Sequence, residues 1–336
     1  MMKMMRKKFS ILALCLIILG SCAREDNFKG PALTDLYGDF SVLEALSISN
    51  KNIDFENGET SVFRARFSKT VDWELHIIGQ ESGAEKIISG KSKVLDSDNA
   101  VWNGSTTELP LFKSEKCLVN LILPEDSVSF HDSLSIINPK LNEGFLLADF
   151  ENGLPSGWQP FIQSGADMSF FTDDSEISGQ GDFYYDMGGE VNWDWLIGYV
   201  DIPATAYGND GFDLNSNPNE VFFNCLLYVP PGITNEVVLF QFWEDDDENG
   251  NFVEGSEDMY SLELKGLDAG WQKLSIRYAD LQALVNGAPA EAAGNKVLES
   301  HKLNNIRILM LANPSSGYSQ VYLDYLIFTE GKALNP

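Results

Sequence analysis

Two stretches near the start of the chain alternate between apolar and polar side chains. They are Ser61-Val62-Phe63-Arg64-Ala65-Arg66-Phe67 and Val71-Asp72-Trp73-Glu74-Leu75-His76-Ile77. Side chains of a strand point to opposite faces in turn, whereas those of a helix repeat every 3.6 residues. The pattern therefore specifies half-buried strands. The same signal recurs over 40–49, 60–68, 71–78, 84–90, 116–123 and 131–137. It returns over 145–151, 168–173, 182–187, 195–202, 220–229, 236–243, 259–265, 271–277, 305–312 and 321–328. Turn residues punctuate the first series at intervals of roughly eight to twelve positions, the spacing of a small sandwich. Only Asp280 to Leu284 and 291–299 read as helical. The fold class expected is all-β.

Asn138-Pro139-Lys140-Leu141-Asn142-Glu143-Gly144 is a natural linker and divides the strands into two modules, 38–138 and 145–331. The second opens with Phe145-Leu146-Leu147-Ala148-Asp149-Phe150-Glu151, followed by the turn cluster Asn152 to Gly157 and Trp158. It closes with Val321 to Phe328. First and last strands of like character suggest a sheet module whose ends pair.

In the first module Asp72-Trp73-Glu74-Leu75, Gly83 and Val101-Trp102-Asn103-Gly104 resemble the Ig-like domains of FlgD-type proteins and bacterial surface modules. Trp73 and Trp102 are expected in core and turn packing, since Trp in a small sandwich usually fills the core. In the second module four pieces are similar to the galactose-binding-like jelly rolls of carbohydrate-binding modules. They are Ala148-Asp149-Phe150-Glu151 with Gly157-Trp158, Ser178 to Phe183, Gly270 to Ile276, and Tyr322 to Phe328. Together the resemblances imply an Ig-like β-sandwich followed by a β-sandwich jelly roll. The second implies glycan binding through aromatic platforms and a structural calcium. For that ion it points to Glu151 and Asp324, with Asp182 as a helper; the alternative is that Glu151 and Asp324 face solvent.

The N-terminus reads as a targeting segment. Lys3, Arg6, Lys7 and Lys8 precede a short apolar run, Phe9 to Leu19, and then Leu19-Gly20-Ser21-Cys22. This resembles a bacterial lipobox, which implies lipidation at Cys22; an ordinary signal peptide is the alternative. Ala23-Arg24-Glu25-Asp26-Asn27 resembles the surface-export signal of Bacteroidetes lipoproteins. Residues 23–37 form a tether. Cleavage at Cys22 would remove four of 23 basic residues and no acidic one, leaving 19 against 50 and a formal charge of −31. That balance disfavours nucleic acid as a partner and suits either a soluble exported body or one that holds calcium. Cys117 and Cys225 sit in apolar runs and are expected as buried free thiols.

Two local features carry candidate chemistry. In Glu244 to Asp258, the residues Asp245, Asp247, Asn249 and Gly250 match positions 1, 3, 5 and 6 of an EF-hand loop, with Asn251 at the carbonyl position. Ser256 stands where the bidentate Glu belongs, so Glu254, Glu257 or Asp258 would have to serve. A solvated acidic hairpin tip is the alternative. The second feature is Asn192-Trp193-Asp194-Trp195, whose two Trp share one strand face; Asn192 and Asp194 would hydrogen-bond sugar hydroxyls. Parity adds Tyr228, Gln241, Trp243, Arg277 and Arg307 to the non-core faces, together with Asn224, Glu263 and Lys273.

Three scattered His lie without a nucleophile motif, and no P-loop or dinucleotide fingerprint appears. The chain is thus expected to be no enzyme but a lipid-anchored, outer-membrane protein that captures polysaccharide beside a glycan transporter, with calcium as a structural aid. A calcium-ordered adhesin and a hydrolase or lyase accessory are the alternatives.

Overall fold

The computed structural model describes residues 39–175, 178–190, 196–233, 237–312 and 318–336. Cys22, the tether, and Asn192, Trp193, Asp194 and Trp195 lie outside the described residues. The chain is all-β: short 3₁₀ turns at Ala204–Tyr207, Tyr278–Asp280 and Ser300–Lys302 are the helical elements among the described residues.

The first module contains β1 Val42–Ile48, β2 Asn52–Asp54, β3 Ser61–Gly79, β4 Glu85–Leu95, β5 Val101–Trp102, β6 Lys116–Leu123 and β7 Val128–Asn138. Their order is β1-β3-β6-β7-β2, with β4 and β5 also paired to the long β3. Strands β1 and β2 sit at opposite ends of this order, yet only residues 49–51 join them. Four strand spacings are about 19 Å, more than four residues reach when extended at about 3.4 Å each. The sheet must therefore curl, and it closes around Phe63, Phe67, Trp73, Leu75, Ile77, Trp102, Val119 and Leu121. Both tryptophans are 1% exposed. Trp73 lies so close over Gly90 that a Cβ there would meet its ring at 2.5 Å. Trp102 packs edge-on to Phe55 and Phe112 and donates its Nε1–H to the Ser105 carbonyl at 2.8 Å.

The second module contains β8 Phe145–Ala148, β9 Gln159–Ile162, β10 Asp167–Asp173, β11 Tyr184–Glu190, β12 Leu196–Pro203, β13 Val221–Val229 and β14 Val238–Glu244. It continues with β15 Met259–Leu264, β16 Gly270–Arg277, β17 Leu284–Val285, β18 Ala288–Pro289, β19 Leu303–Leu311 and β20 Ser319–Glu330. One sheet runs β10-β11-β20-β13-β16, with β8 joined to β20; the other runs β15-β14-β19-β12-β9. The two enclose one core, in which Phe223 of the first sheet meets Phe240 and Phe242 of the second. Cys117 and Cys225 are both free and buried.

Strand β20 changes partner midway. Ser319 to Leu323 pair with β11, whereas Leu326 to Phe328 pair with β8. Between them Tyr325 adopts φ 46°, and the inward parity moves from Val321 and Leu323 to Leu326 and Phe328. Tyr325 and Ile327 turn outward and join Leu111, Leu226 and Leu334 in a separate apolar cluster. The first module thus docks on the outer face of the six-stranded sheet. Leu111 donates its backbone N–H to the Gly179 carbonyl at 2.8 Å, Lys113 pairs with Asp182 at 2.6 Å, and Lys140 reaches the Asn335 carbonyl at 2.9 Å.

Two expectations are corrected. Residues 280–284 and 291–299 are not helical: a 3₁₀ turn and the β17–β18 hairpin follow Arg277, and 291–299 is an irregular loop. Side chains from neighbouring elements hold that loop by its amides, so its few apolar residues never form a helical face. Asn224 does leave the core but faces no solvent. Its amide donates to the Ile327 carbonyl and to Thr329 Oγ1, and its Oδ1 accepts from Leu334 N–H, beneath the C-terminal tail.

Phe223→Ala is expected to cost about 3–5 kcal/mol in denaturant unfolding, since three facing rings cannot collapse into the void. On the outer face of the six-stranded sheet, Asp186 is 6% exposed and, among the described residues, accepts the Gln320 amide. Burial pushes its carboxyl up to about 6. The folded state then holds the Asp186 proton more tightly than the unfolded chain, so this stability is present at low pH and is lost as pH rises from about 4 to about 6. The melting temperature of Asp186→Asn, relative to the unchanged protein, should climb across that window and level off above it.

Candidate functional site

The two outer faces of the jelly roll differ in what covers them. The six-stranded face is occupied at Leu226, Tyr325 and Ile327 by Leu111 and Leu334. The five-stranded face carries no such cover among the described residues. Its strands alternate strictly: Val238, Phe240, Phe242, Ile306, Ile308 and Met310 are fully buried, so Gln241, Trp243, Asn305 and Arg307 project the other way. Register sets Gln159, Asp201, Arg307 and Gln241 side by side across four strands. Phe161 and Tyr199 form the neighbouring pair on β9 and β12.

Arg307 is the centre of this face. Its guanidinium carbon lies 3.8 Å from the centroid of Tyr199 and 4.4 Å from that of Trp243. Its edge donates to both oxygens of Asp201, Nε to Oδ1 at 2.6 Å and a terminal nitrogen to Oδ2 at 2.8 Å. A planar cation satisfied at its edge leaves both faces for aromatic rings, which Lys cannot imitate. The row extends outward by stacking, Phe161 on Tyr199 at 4.8 Å and Phe252 on Trp243 at 4.8 Å. Phe161, 40% exposed, ends the row on one side. Trp243 Nε1 is buried without a hydrogen-bond partner. The face therefore offers ring surface flanked by Gln241, Gln159, Asn305 and Glu263, the mixture that suits a ligand with apolar C–H faces and many hydroxyls.

Of the sequence candidates for carbohydrate, Gln241, Trp243 and Arg307 come together here. Tyr228 and Arg277 do not. Tyr228 stands on β13 in the other sheet, stacked on Tyr322 and tilted against Trp271. Arg277 ends the edge strand β16 and pairs with Asp280 at 2.7 Å. Parity separates core from non-core faces, but it does not say which of two outer faces a residue joins. Phe161, Tyr199, Asp201 and Phe252 were missed. Phe161 belongs to a four-residue strand that follows Pro155-Ser156-Gly157-Trp158 and is too short for alternation to reveal.

Glu151 and Asp324 converge on one loop. Glu151 Oε1 accepts the N–H groups of Asp182 and Phe183, each at 2.9 Å. Asp324, 0% exposed, accepts those of Gln180 and Tyr325, each at 2.7 Å. Burial drives both carboxyls up, Asp324 the further, and the Glu151 charge adds to the rise at Asp324. Gly181 adopts φ +60° against the Glu151 carboxylate, where a Cβ would fall 2.3 Å from Oε1. The neighbouring Gln180 Oε1 is buried and unpartnered. An orphaned oxygen beside two desolvated carboxylates is a donor set that fits a hard cation. Asp182 offers only its N–H, because its carboxylate is held by Lys113.

In the acidic hairpin Asp245, Asp247 and Glu257 bring one oxygen each within 4.8 Å of one another. Asp245 ties the turn by accepting from Asn249 N–H at 3.1 Å and Gly250 N–H at 2.6 Å. Gly250 takes φ +85°, which the position six Gly of such a loop supplies. Glu257 fills the place that Ser256 vacates. It accepts Val253 N–H through Oε2, while its Oε1 is buried and unpartnered. Glu254 is exposed and outside the group. Asn249 and Asn251 bond to each other at the exposed tip.

No protein family matches the chain, and no curated protein does. Among solved structures it is similar to carbohydrate-binding modules of the β-sandwich superfamily, at 10% identity and a TM-score of 0.38 over 88% of this chain and 99% of that one. It is similar to the family 11 carbohydrate-binding module of the Clostridium thermocellum cellulase Lic26A-Cel5E, at 13% identity and 0.38 over 57% and 97%. It is also similar to SGBP-B from a xyloglucan utilization locus of Bacteroides uniformis, at 12% identity and 0.34 over 85% and 72%.

Arg307→Lys keeps the charge but loses the fork and the plane. It is expected to destabilise by about 1–3 kcal/mol in urea unfolding and to alter the near-UV spectrum of Trp243. Arg277→Lys, at an exposed ion pair, should stay within about 0.5 kcal/mol.

Proposed function

We propose that the protein captures polysaccharide on the open face of its five-stranded sheet and breaks no bond. One observation carries this reading: the row Phe161, Tyr199, Arg307, Trp243 and Phe252, held rigid by a guanidinium between two rings. Its rigidity means that little side-chain entropy is lost when a sugar ring settles on it. Asp201 commits both oxygens to Arg307, so it serves as a strut and not as a proton carrier.

Calcium belongs to the same proposal. Glu151, Asp324 and Gln180 would hold one ion, and Asp245, Asp247 and Glu257 another. A bound ion would neutralise carboxylates packed without cationic partners and lock the turns that present the platform. Lipidation at Cys22 and the acidic tether support display at the outer membrane of a Bacteroidetes-like cell, beside a transporter for the captured glycan. If the outermost leaflet carries the protein, the tether gives the platform reach.

The test is affinity electrophoresis against a panel of neutral and acidic polysaccharides. At least one glycan should retard the protein without product formation. Trp243→Ala and Tyr199→Ala should each weaken that retardation about tenfold, equivalent to about 1.4 kcal/mol. Phe171→Ala, exposed on the six-stranded face, should change nothing. Retardation lost with Phe171→Ala and kept with Trp243→Ala would move the site to the other sheet. No retardation by any glycan would favour the structural, adhesin-like reading.

A further inference from the structure

The acidic hairpin has a second side. Glu244 ends strand β14 and Asp245 to Glu248 form a tight turn, with Glu248 N–H reaching the Asp245 carbonyl at 3.3 Å; Asp245 and Asp247 gather with Glu257, whereas Glu244 and Asp246 form a separate pair. Asp258, across the base of the hairpin, joins the latter pair, and the backbone closes the base through Glu244 N–H to the Asp258 carbonyl at 2.9 Å. Glu244, Asp246 and Asp258 each bring one carboxylate oxygen within 4.8 Å of the others. Glu244 and Asp258 are both 0% exposed.

Most oxygens in this group are already engaged. Glu244 Oε1 accepts the Tyr278 hydroxyl and Glu299 N–H, both at 2.8 Å. Asp258 accepts Gly294 N–H at 2.7 Å and Lys296 N–H at 2.6 Å. Asp246 accepts Asn295 N–H at 3.2 Å. Glu244 Oε2 is different: it is buried and has no partner. Among the described residues no Lys or Arg forms an ion pair with any of the three carboxylates. Lys302 spends its ammonium on Glu299 at 3.2 Å and on the Asp246 carbonyl at 3.0 Å, and Lys296 pairs with Glu291 at 2.6 Å. An unpartnered, fully buried carboxylate oxygen beside two more carboxylates costs several kcal/mol unless a cation neutralises it.

We infer that Glu244, Asp246 and Asp258 bind a divalent cation of the calcium class, separate from the one assigned to Asp245, Asp247 and Glu257. The hairpin is then a two-ion clip. The outer ion orders the exposed tip. The inner ion ties the 291–299 loop to the end of the five-stranded sheet, because the amides of Gly294, Asn295, Lys296 and Glu299 all bond to its three ligands. Gly294 fits this role for a steric reason: a Cβ there would lie 1.8 Å from Asp246 Oδ2. All ligands are carboxylate oxygens and one of them, Glu244 Oε2, is unpartnered, which suits hard, coordinatively flexible calcium better than zinc.

The test counts ions on the full chain after metal removal, by calcium titration calorimetry and by terbium luminescence excited through tryptophan. Asp246→Asn and Glu244→Gln should each remove one ion, or weaken it at least tenfold, while Asp247→Asn removes a different one. Asp246 is half-buried, so its variant should fold; circular dichroism checks this, and protection of 291–299 from proteolysis should fall with Asp246→Asn but not with Asp247→Asn. Unchanged stoichiometry in folded Asp246→Asn would overturn the inference. So would loss of the same single ion by Asp246→Asn and Asp247→Asn, or the absence of any calcium bound at the hairpin.

Discussion

The change of partner along β20 at Asp324–Tyr325 is the constraint on which the rest of the second module depends. A strand can have only two hydrogen-bonded edges, and β13 takes one for nearly its whole length. The other edge is divided between β11 and β8, and the division needs a local break. Tyr325 supplies it with a left-handed backbone that costs of order 1 kcal/mol in a non-glycine residue. Three consequences follow. The parity of β20 inverts, sending Tyr325 and Ile327 outward as a seat for Leu111 and Leu334. The 178–183 loop fills the gap and donates its amides to Asp324 and Glu151. The first module then docks on that loop, through Leu111 and Lys113, and so covers the six-stranded face. Among the described residues the five-stranded face has no such cover.

Electrostatics follow a parallel logic. Among the described residues the hairpin's carboxylates have one ion-pair partner, Lys302 with Glu248 at 3.8 Å, although such pairs occur elsewhere on the module. The turn after Glu244 gathers them into two triads, one of Glu244, Asp246 and Asp258 and the other of Asp245, Asp247 and Glu257, so that repulsion is divided between two groups. Each triad keeps one buried oxygen unpartnered, Glu244 Oε2 and Glu257 Oε1. Native proteins rarely tolerate such atoms. Two in one hairpin, each within a carboxylate triad, indicate shared chemistry and not two coincidences.

How much of this was legible in the sequence depends on the kind of signal. Period-two alternation locates β3, β6, β13, β14 and β19 because those strands are long and keep one apolar face to the core. It carries Trp73 and Trp102 to the core and Gln241, Trp243 and Arg307 to an outer face. It misses β9, with its Phe161, because four residues hold too few repeats. It joins Tyr228 and Arg277 to the wrong sheet, since alternation is silent on which sheet a strand enters. The motif match over Asp245 to Gly250 located one triad, but matching a linear template hid the other. Glu244 and Asp246 interleave with the template positions, and they meet Asp258 through the turn and the bond from Glu244 N–H to the Asp258 carbonyl, which a linear template does not show. The helical expectation for 291–299 failed because side chains from elsewhere hold that segment by its amides.

Platform and hairpin are not independent. Trp243 is the last aromatic of β14, and Glu244 is the next residue. Phe252 leaves the hairpin tip to stack on Trp243, and the following amide, that of Val253, is held by Glu257. A cation bound at Asp245, Asp247 and Glu257 would therefore fix the end of the aromatic row, and one bound at Glu244, Asp246 and Asp258 would fix its base. Under that proposal, repulsion among the carboxylates would act to open the hairpin without ions, and Phe252 would be the first ring to lose its neighbour. Arg307 is insulated from this, because Asp201 and Tyr199 anchor it from the opposite side. The stack thus has a half anchored by Asp201, namely Phe161, Tyr199 and Arg307, and a half, Trp243 and Phe252, whose order would depend on charge neutralisation under the two-ion proposal. Such a division would let calcium in the surrounding medium govern how long a ligand the row can hold, without altering the half that first receives it.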